Sequence, residues 1–322
     1  MHSTFGGRFD GRFDGKVVLV AGAARPPGLG FALARRFAAG GATVACVDAV
    51  GDQPAAGHDT GVVPPGLLEE LTAEVAAIAA TGGRSDAAAG GGGSDAAAGG
   101  GNDAAAAGGA APGTAAFPVD PADPADWARA AVDAIDTFGR VDIACPFMGT
   151  TGPAAGDGRL MDVPLDAWQR CYDVNVTAPL LFGRACAADM VARGAGGALC
   201  FLSSYSAVVP PVGFGAVASA RAALNRVVEV LAAELGPDGI RVNAVQPLSV
   251  RNPDGRFPNP GLQGLATSEA PGLERWVRDH LPLGRPQSPD ETAAVAAFLC
   301  SDQASFVTGL SVPVAGGAHA HS

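Results

Sequence analysis

Between Lys16 and Gly317 the chain alternates seven apolar, β-branched runs with Ala- and Leu-rich runs of helical spacing, and this alternation constrains the fold more than any other feature. The runs "KVVLVAG" (16–22), "ATVACVD" (42–48), "AAFPVD" (115–120), "VDIACPF" (141–147), "GALCFLSS" (197–204), "IRVNAVQP" (240–247) and "LSVPVAGG" (310–317) read as buried strands. Residues 29–39, 66–80, 125–138, 165–193, 215–235 and 289–300 read as helices; Leu224, Val228, Leu231 and Leu235 show the spacing. A strand apolar on both sides needs helices over both faces of its sheet, and parallel neighbours need crossovers. The pattern therefore predicts an α/β fold: a doubly wound, seven-stranded parallel sheet in three α/β/α layers.

Three segments stand outside this alternation. "SDAAAGGGGSDAAAGGGNDAAAAGGAAPG" (85–113) is a degenerate repeat with no large apolar side chain, too poor in buriable surface to offset its ordering entropy. It is expected to be a disordered insertion. A milder excursion covers 49–66, and residues 1–14 form an N-terminal arm. The rest, 15–318, is expected to be a single domain.

Charge and cysteine usage narrow the partners. A net charge of −11 repels nucleic-acid phosphates and anionic lipid, so neither a nucleic acid nor a membrane is expected. No run of about 20 apolar residues escapes charge, Gly or Pro, and the first residues lack the apolar core of a signal peptide. The six cysteines are scattered without C-x-x-C spacing, as expected of buried thiols in a cytoplasmic protein without a metal site.

The first strand runs into "AGAARPPGLGFALARRF", with Gly22, Gly28 and Gly30 in the turn and the first helical turn, beside Leu29. Glycines there let backbone N–H groups approach a pyrophosphate at a helix N-terminus. Asp48 closes the second strand, where a carboxylate accepts from both ribose hydroxyls of NAD and repels a 2′-phosphate. Arg25 in the turn argues the other way. The balance favours NAD(H) over NADP(H).

With these motifs the chain resembles the short-chain dehydrogenases/reductases, a Rossmann-type family, over nearly all of 15–317. The resemblance assigns Asp120 to the adenine and, through "LMDVPLDAWQRCYDVNVTAPLLFGRA", makes Asn175 the active-site asparagine. "GALCFLSS" makes Ser204 the catalytic serine, and "GPDGIRVNAVQP" and the C-terminal "PLGRPQSPDETAAVAAFLCSDQASFVTGLSVPVAGG" follow the family pattern. Gly149, Pro247 and Asn252 complete the implied cofactor contacts. The G-x5-G-x-G spacing is similar to that of the family's enoyl-thioester reductase branch.

The family's tyrosine and lysine are missing. Counted from Ser204 they fall on Val217 and Arg221; in the enoyl-reductase register the tyrosine falls on or beside Phe214. None of the three can donate the proton that a phenol gives to a developing alkoxide, because Arg221 stays charged throughout. "NNAG" has become "PFMG" and "PG" has become "PL". Of the two tyrosines, Tyr172 is expected to pack, leaving Tyr205, or Ser204 with a water ordered through Asn175, as the substitute acid.

The expected function is an atypical oxidoreductase that moves hydride between NAD(H) and a small apolar carbonyl, enone or imine. Ser204 and Asn175 would polarise the acceptor and Arg221 would anchor ribose or substrate. The substrate would lie under the loop 249–281 with its Phe257, Leu262, Leu265 and Trp276. The alternatives are a non-redox cyclase or isomerase and a non-catalytic NAD-binding subunit. The resemblance also implies a homodimer or homotetramer, or a hetero-oligomer with an active homologue, through helices 165–193 and 215–235.

Overall fold

The computed structural model describes residues 13–23, 28–50, 66–80, 113–152, 155–248, 250 and 278–318. In chain order the elements are β1 (Val17–Ala21), α1 (Leu29–Ala39), β2 (Thr43–Ala49), α2 (Leu67–Ala80), β3 (Thr114–Val119), α3 (Pro124–Phe138) and β4 (Ile143–Pro146). Then come α4 (Leu165–Tyr172), α5 (Ala178–Arg193), β5 (Gly197–Leu202), α6 (Gly215–Leu235), β6 (Ile240–Pro247), α7 (Pro289–Cys300) and β7 (Ser311–Val314). Arm residues 1–12, residues 51–65 of the milder excursion and 85–112 of the insertion lie outside the described residues.

The strands form one seven-stranded sheet in the order β3-β2-β1-β4-β5-β6-β7, every pair parallel. Alternate residues of each strand enter opposite apolar layers, which is why the runs are apolar throughout rather than at every second position. Val18, Val20, Val44, Cys46, Ile143, Cys145 and Val245 pack with α1, α2 and α7. Val17, Leu19, Ala45, Val47, Ala144, Phe201 and Val242 pack on the other side with α3, α5 and α6. All six cysteines are buried and free.

Two expectations need correction. The strands read as buried at 115–120 and 310–317 are β3 and β7, and both are only partly covered because each lies at an edge of the sheet with one neighbour. The helix read as continuous over 165–193 is interrupted by a π turn, Asp173–Thr177, between α4 and α5. Such turns insert one residue and redirect the side chains around them, and this one carries Asn175.

Because every strand is parallel, the ends of β1, β2, β4, β5 and β6 that lead into Gly22, Asp48, Gly149, Ser204 and Pro247 all lie along one edge of the sheet. Strand order reverses between β1 and β4, and ligands of open α/β sheets bind outside that carboxyl edge.

Candidate active site

The side of this edge that carries the glycine turn is built from β1, α1 and β2. Gly22 has φ 79°, and a Cβ on it would stand 2.8 Å from the Phe147 carbonyl carbon and oxygen. A Cβ on Gly30 would overlap the Gly22 carbonyl, so the first turn of α1 closes on the end of β1 only because residue 30 is glycine. Gly28 is the N-cap of α1 and brings no side-chain acceptor, and the first turn, opening with Leu29 and Gly30, holds no acidic residue. The N–H groups there have no intrahelical partner, and the helix dipole favours an anion beside them. Asp48 is buried at the end of β2, its Oδ1 accepting from the Ala49 N–H at 2.8 Å. Asp120 is exposed after β3, with Oδ1 accepting from the Ala122 N–H at 2.8 Å. Arg25 and Asn252 lie outside the described residues, as does most of the loop 249–281.

On the other side of β4 the structure brings Gly149, Asn175 and Arg221 together. The Asn175 amide, fully buried, donates to the Thr150 carbonyl at 3.1 Å and the Cys171 carbonyl at 2.9 Å and accepts from the Thr150 N–H at 3.2 Å. It also reaches the Cys171 thiol at 3.4 Å. The π turn presents this side chain to the chain leaving β4.

Arg221 lies on α6, one turn after Val217, and is 4% exposed, so it is not a solvated helix cation. Its guanidinium donates to the Leu202 carbonyl at the end of β5 and to the Met148 carbonyl, the latter at 3.4 Å. Both acceptors are neutral, so among the described residues no anion meets the charge, and burial pulls its pKa down to about 10. It remains a cation at neutral pH. Gly149 makes room for it: a Cβ there would collide with Nη2 and stand 3.1 Å from Asn175 Oδ1.

Ser204 follows β5 as the N-cap of a short 3₁₀ turn; its Oγ accepts from the Ser206 N–H at 3.2 Å and lies 2.9 Å from Ser206 Oγ. Tyr205 is 4% exposed and its hydroxyl is enclosed without a partner. Tyr172 packs as expected, stacked on Trp168 with ring centroids 5.1 Å apart. Val217 is buried among Cys171, Ala216 and Ala220. Pro247 ends β6, and the next N–H, of Leu248, donates to the Val314 carbonyl at 3.2 Å.

Comparison with known proteins fits this geometry. The family described as Enoyl-(Acyl carrier protein) reductase matches residues 93–319. The chain belongs to the short-chain dehydrogenase/reductase superfamily. It is 34% identical over 209 residues to the 2,5-dichloro-2,5-cyclohexadiene-1,4-diol dehydrogenase of Sphingobium indicum, covering 65% of this chain and 79% of that protein. To the bovine (Bos taurus) Dehydrogenase/reductase SDR family member 4 it is 32% identical over 196 residues, 61% of this chain and 66% of that protein. The match thus spans just under two thirds of this relative. A short-chain type dehydrogenase/reductase from Mycobacterium ulcerans superposes with a TM-score of 0.72 at 25% identity, over 95% of this chain and 90% of that one. Members of the superfamily with this fold are oxidoreductases that use NAD(P)(H) on small molecules.

One enclosed polar group has almost no signature in the sequence. Asp157, in the segment between β4 and α4, has Oδ2 accepting from the Gly152 N–H at 2.5 Å and Oδ1 enclosed without a partner. Its only sequence signal is an acid flanked by glycines in "AAGDG". Among the described residues there is no cluster of side chains that could hold a metal, and no helix is long and apolar enough to cross a membrane.

Proposed function

We propose that this chain, as one domain over 15–318, is an NAD(H)-dependent oxidoreductase that transfers hydride between the cofactor and a small apolar carbonyl, enone or imine. The observation that carries the reading is Arg221: a buried cation with no anionic partner among the described residues, held by the Leu202 and Met148 carbonyls beside Gly149 and Asn175. A protein keeps such a costly charge where negative charge arrives with a ligand or develops in a reaction.

The residues present fit the cofactor. Gly22, Gly28, Leu29 and Gly30 would take the pyrophosphate, Asp48 the adenosine ribose and Asp120 the adenine. Gly149, Arg221, Pro247 and Asn252 would line the nicotinamide half, and Arg25 the turn. The preference for NAD(H) over NADP(H) rests on Asp48, whose buried carboxylate would repel a 2′-phosphate. When bound, the nicotinamide supplies the hydride. In the protein, Asn175 fixes the chain leaving β4, Ser204 orients the acceptor through its hydroxyl, and Arg221 stabilises the charge that builds on the acceptor heteroatom or anchors the ribose. Tyr205 has a lesser claim as acid, because its hydroxyl is enclosed.

We infer a cytoplasmic homodimer or homotetramer. Leu165, Val191 and Val230, on α4, α5 and α6, are apolar and exposed, as surfaces that pair with another copy would be. The test of the function is loss of nicotinamide absorbance when NADH is mixed with the protein and a panel of iminium ions, enones and ketones. Turnover by the wild type, slowed at least tenfold in Arg221→Met, is expected. An Arg221→Met rate equal to wild type would remove the buried cation from the account.

A further inference from the structure

The buried guanidinium of Arg221 is held by carbonyls from two neighbouring strand ends, Leu202 closing β5 and Met148 just past β4. The Met148 contact, at 3.4 Å, is already at the limit of a hydrogen bond and leaves no slack. A slide of α6 along its axis by the rise of one residue, about 1.5 Å, would break it. Apolar burial resists such a slide only weakly. The side chains that α6 packs against the sheet, Leu224, Val228 and Ala232, are apolar, and the attraction between apolar surfaces has no direction.

A polar contact supplies the direction. Asn225 stands one turn beyond Arg221 on α6. Its Oδ1 accepts from the Ser203 hydroxyl at 2.6 Å and from the Ser311 hydroxyl at 3.1 Å. Ser203 follows β5 and Ser311 opens β7, so the two donors flank β6 and one amide oxygen joins them across it. Ser203 is itself fixed, being buried, with its N–H donating to the Val245 carbonyl of β6 at 2.9 Å. Its Oγ also lies 3.4 Å from the carbonyl oxygen of Arg221. Residues 202 and 203 thus meet Arg221 at both ends, the carbonyl of one on the guanidinium and the hydroxyl of the other beside its backbone. Ser219 and Arg226, by contrast, bond within α6: the Ser219 hydroxyl to the Gly215 and Ala216 carbonyls at 2.7 and 2.9 Å, and Arg226 to Glu229.

We propose that Asn225 is a positioning residue for Arg221. By taking the hydroxyls of Ser203 and Ser311 on one oxygen, it fixes the axial setting of α6 at which the guanidinium reaches the Leu202 and Met148 carbonyls. It touches neither cofactor nor substrate and acts through Arg221. The consequence for catalysis rests on the oxidoreductase function proposed above; the placement of the guanidinium does not.

Two measurements on the full chain test this. The first needs no cofactor or acceptor: hydrogen exchange of the Arg221 guanidinium protons, followed by NMR with isotope-labelled arginine and assigned by their absence from Arg221→Met. Exchange should be slow in the wild type and faster by about tenfold or more in Asn225→Leu, where the helix opens locally. Asn225→Asp keeps an acceptor for both hydroxyls and should restore slow exchange. Val228→Ala leaves a cavity on the same helix without touching the polar link; it should lower the melting temperature and leave the guanidinium protected. Wild-type protection in Asn225→Leu overturns the assignment, as does equal loss of protection in Val228→Ala, which would make Asn225 one packing contact among others. The second is single-turnover oxidation of NADH by whichever acceptor the wild type reduces. Asn225→Leu should slow it by up to about 10²-fold, the scale of a misplacement of about 1 Å, and should slow Arg221→Met no further. The same factor in both backgrounds overturns the role. A wild type that reduces no acceptor overturns the oxidoreductase reading alone, and the exchange measurement then decides the positioning by itself.

Discussion

Arg221 and Gly149 form a pair whose sizes depend on each other. An added methyl at 149 must displace the guanidinium or the chain leaving β4, and overpacking a buried site costs about 1–3 kcal/mol. Gly149→Ala is therefore expected to lower stability by that amount in denaturant melts. Adding Arg221→Ala should recover part of the loss, so that the two effects fall short of adding; strict additivity would show that the contact carries no energy. Arg221 is legible in the sequence as a cation in the lysine's place, but its burial is not, because a lone arginine in an Ala-rich helix reads equally well as solvated. Asp157 is illegible for the opposite reason. Its meaning lies in which atoms surround it, and a loop of Gly, Ala and Pro has no periodicity from which to infer them.

At the scale of elements, apolar runs place all seven strands and most helix ends, since each run must be long enough to cross the sheet and each helix to return. What the runs do not show is the π turn at 173–177, where local apolar spacing continues unbroken while the backbone adds a residue to aim Asn175. Nor do they tell edge strands from central ones, because strand order is set by crossovers and not by composition. The junction of β1 with α1 offers a sharper check: Gly30→Ala should push α1 away from Gly22, lowering the melting temperature and weakening dinucleotide binding together. Equal affinity in a folded variant would take the glycines out of the cradle. At the start of α7, the Ser288 N–H and the Arg285 guanidinium donate to Glu291 at 2.8 and 2.7 Å. Arg285, first, holds that carboxyl down at about 2, below its usual 4.5. Its contribution to stability is thus present above about 4.5 and lost as pH falls toward about 2. Glu291→Gln should melt earlier than wild type at neutral pH, and the two curves should converge in acid.

Over the whole molecule, a single parallel sheet delivers residues from positions far apart in sequence to one edge. In the function proposed, the glycine turn, Asp48, Asn175 and the strand ends would hold the cofactor, and Val217, packed among Cys171, Ala216 and Ala220, would stand at the phenol's position. The central claim is that the nucleotide cradle is intact despite that loss. It is tested most directly by titrating the purified protein with NADH and NADPH, following nicotinamide fluorescence, in wild type and Asp48→Ala. The account predicts saturable binding of NADH in preference to NADPH, with NADH weakened by about tenfold or more when the Asp48 contacts to the ribose are lost, a cost of about 1.4 kcal/mol. Absence of saturable binding of either nucleotide at millimolar concentration would contradict it.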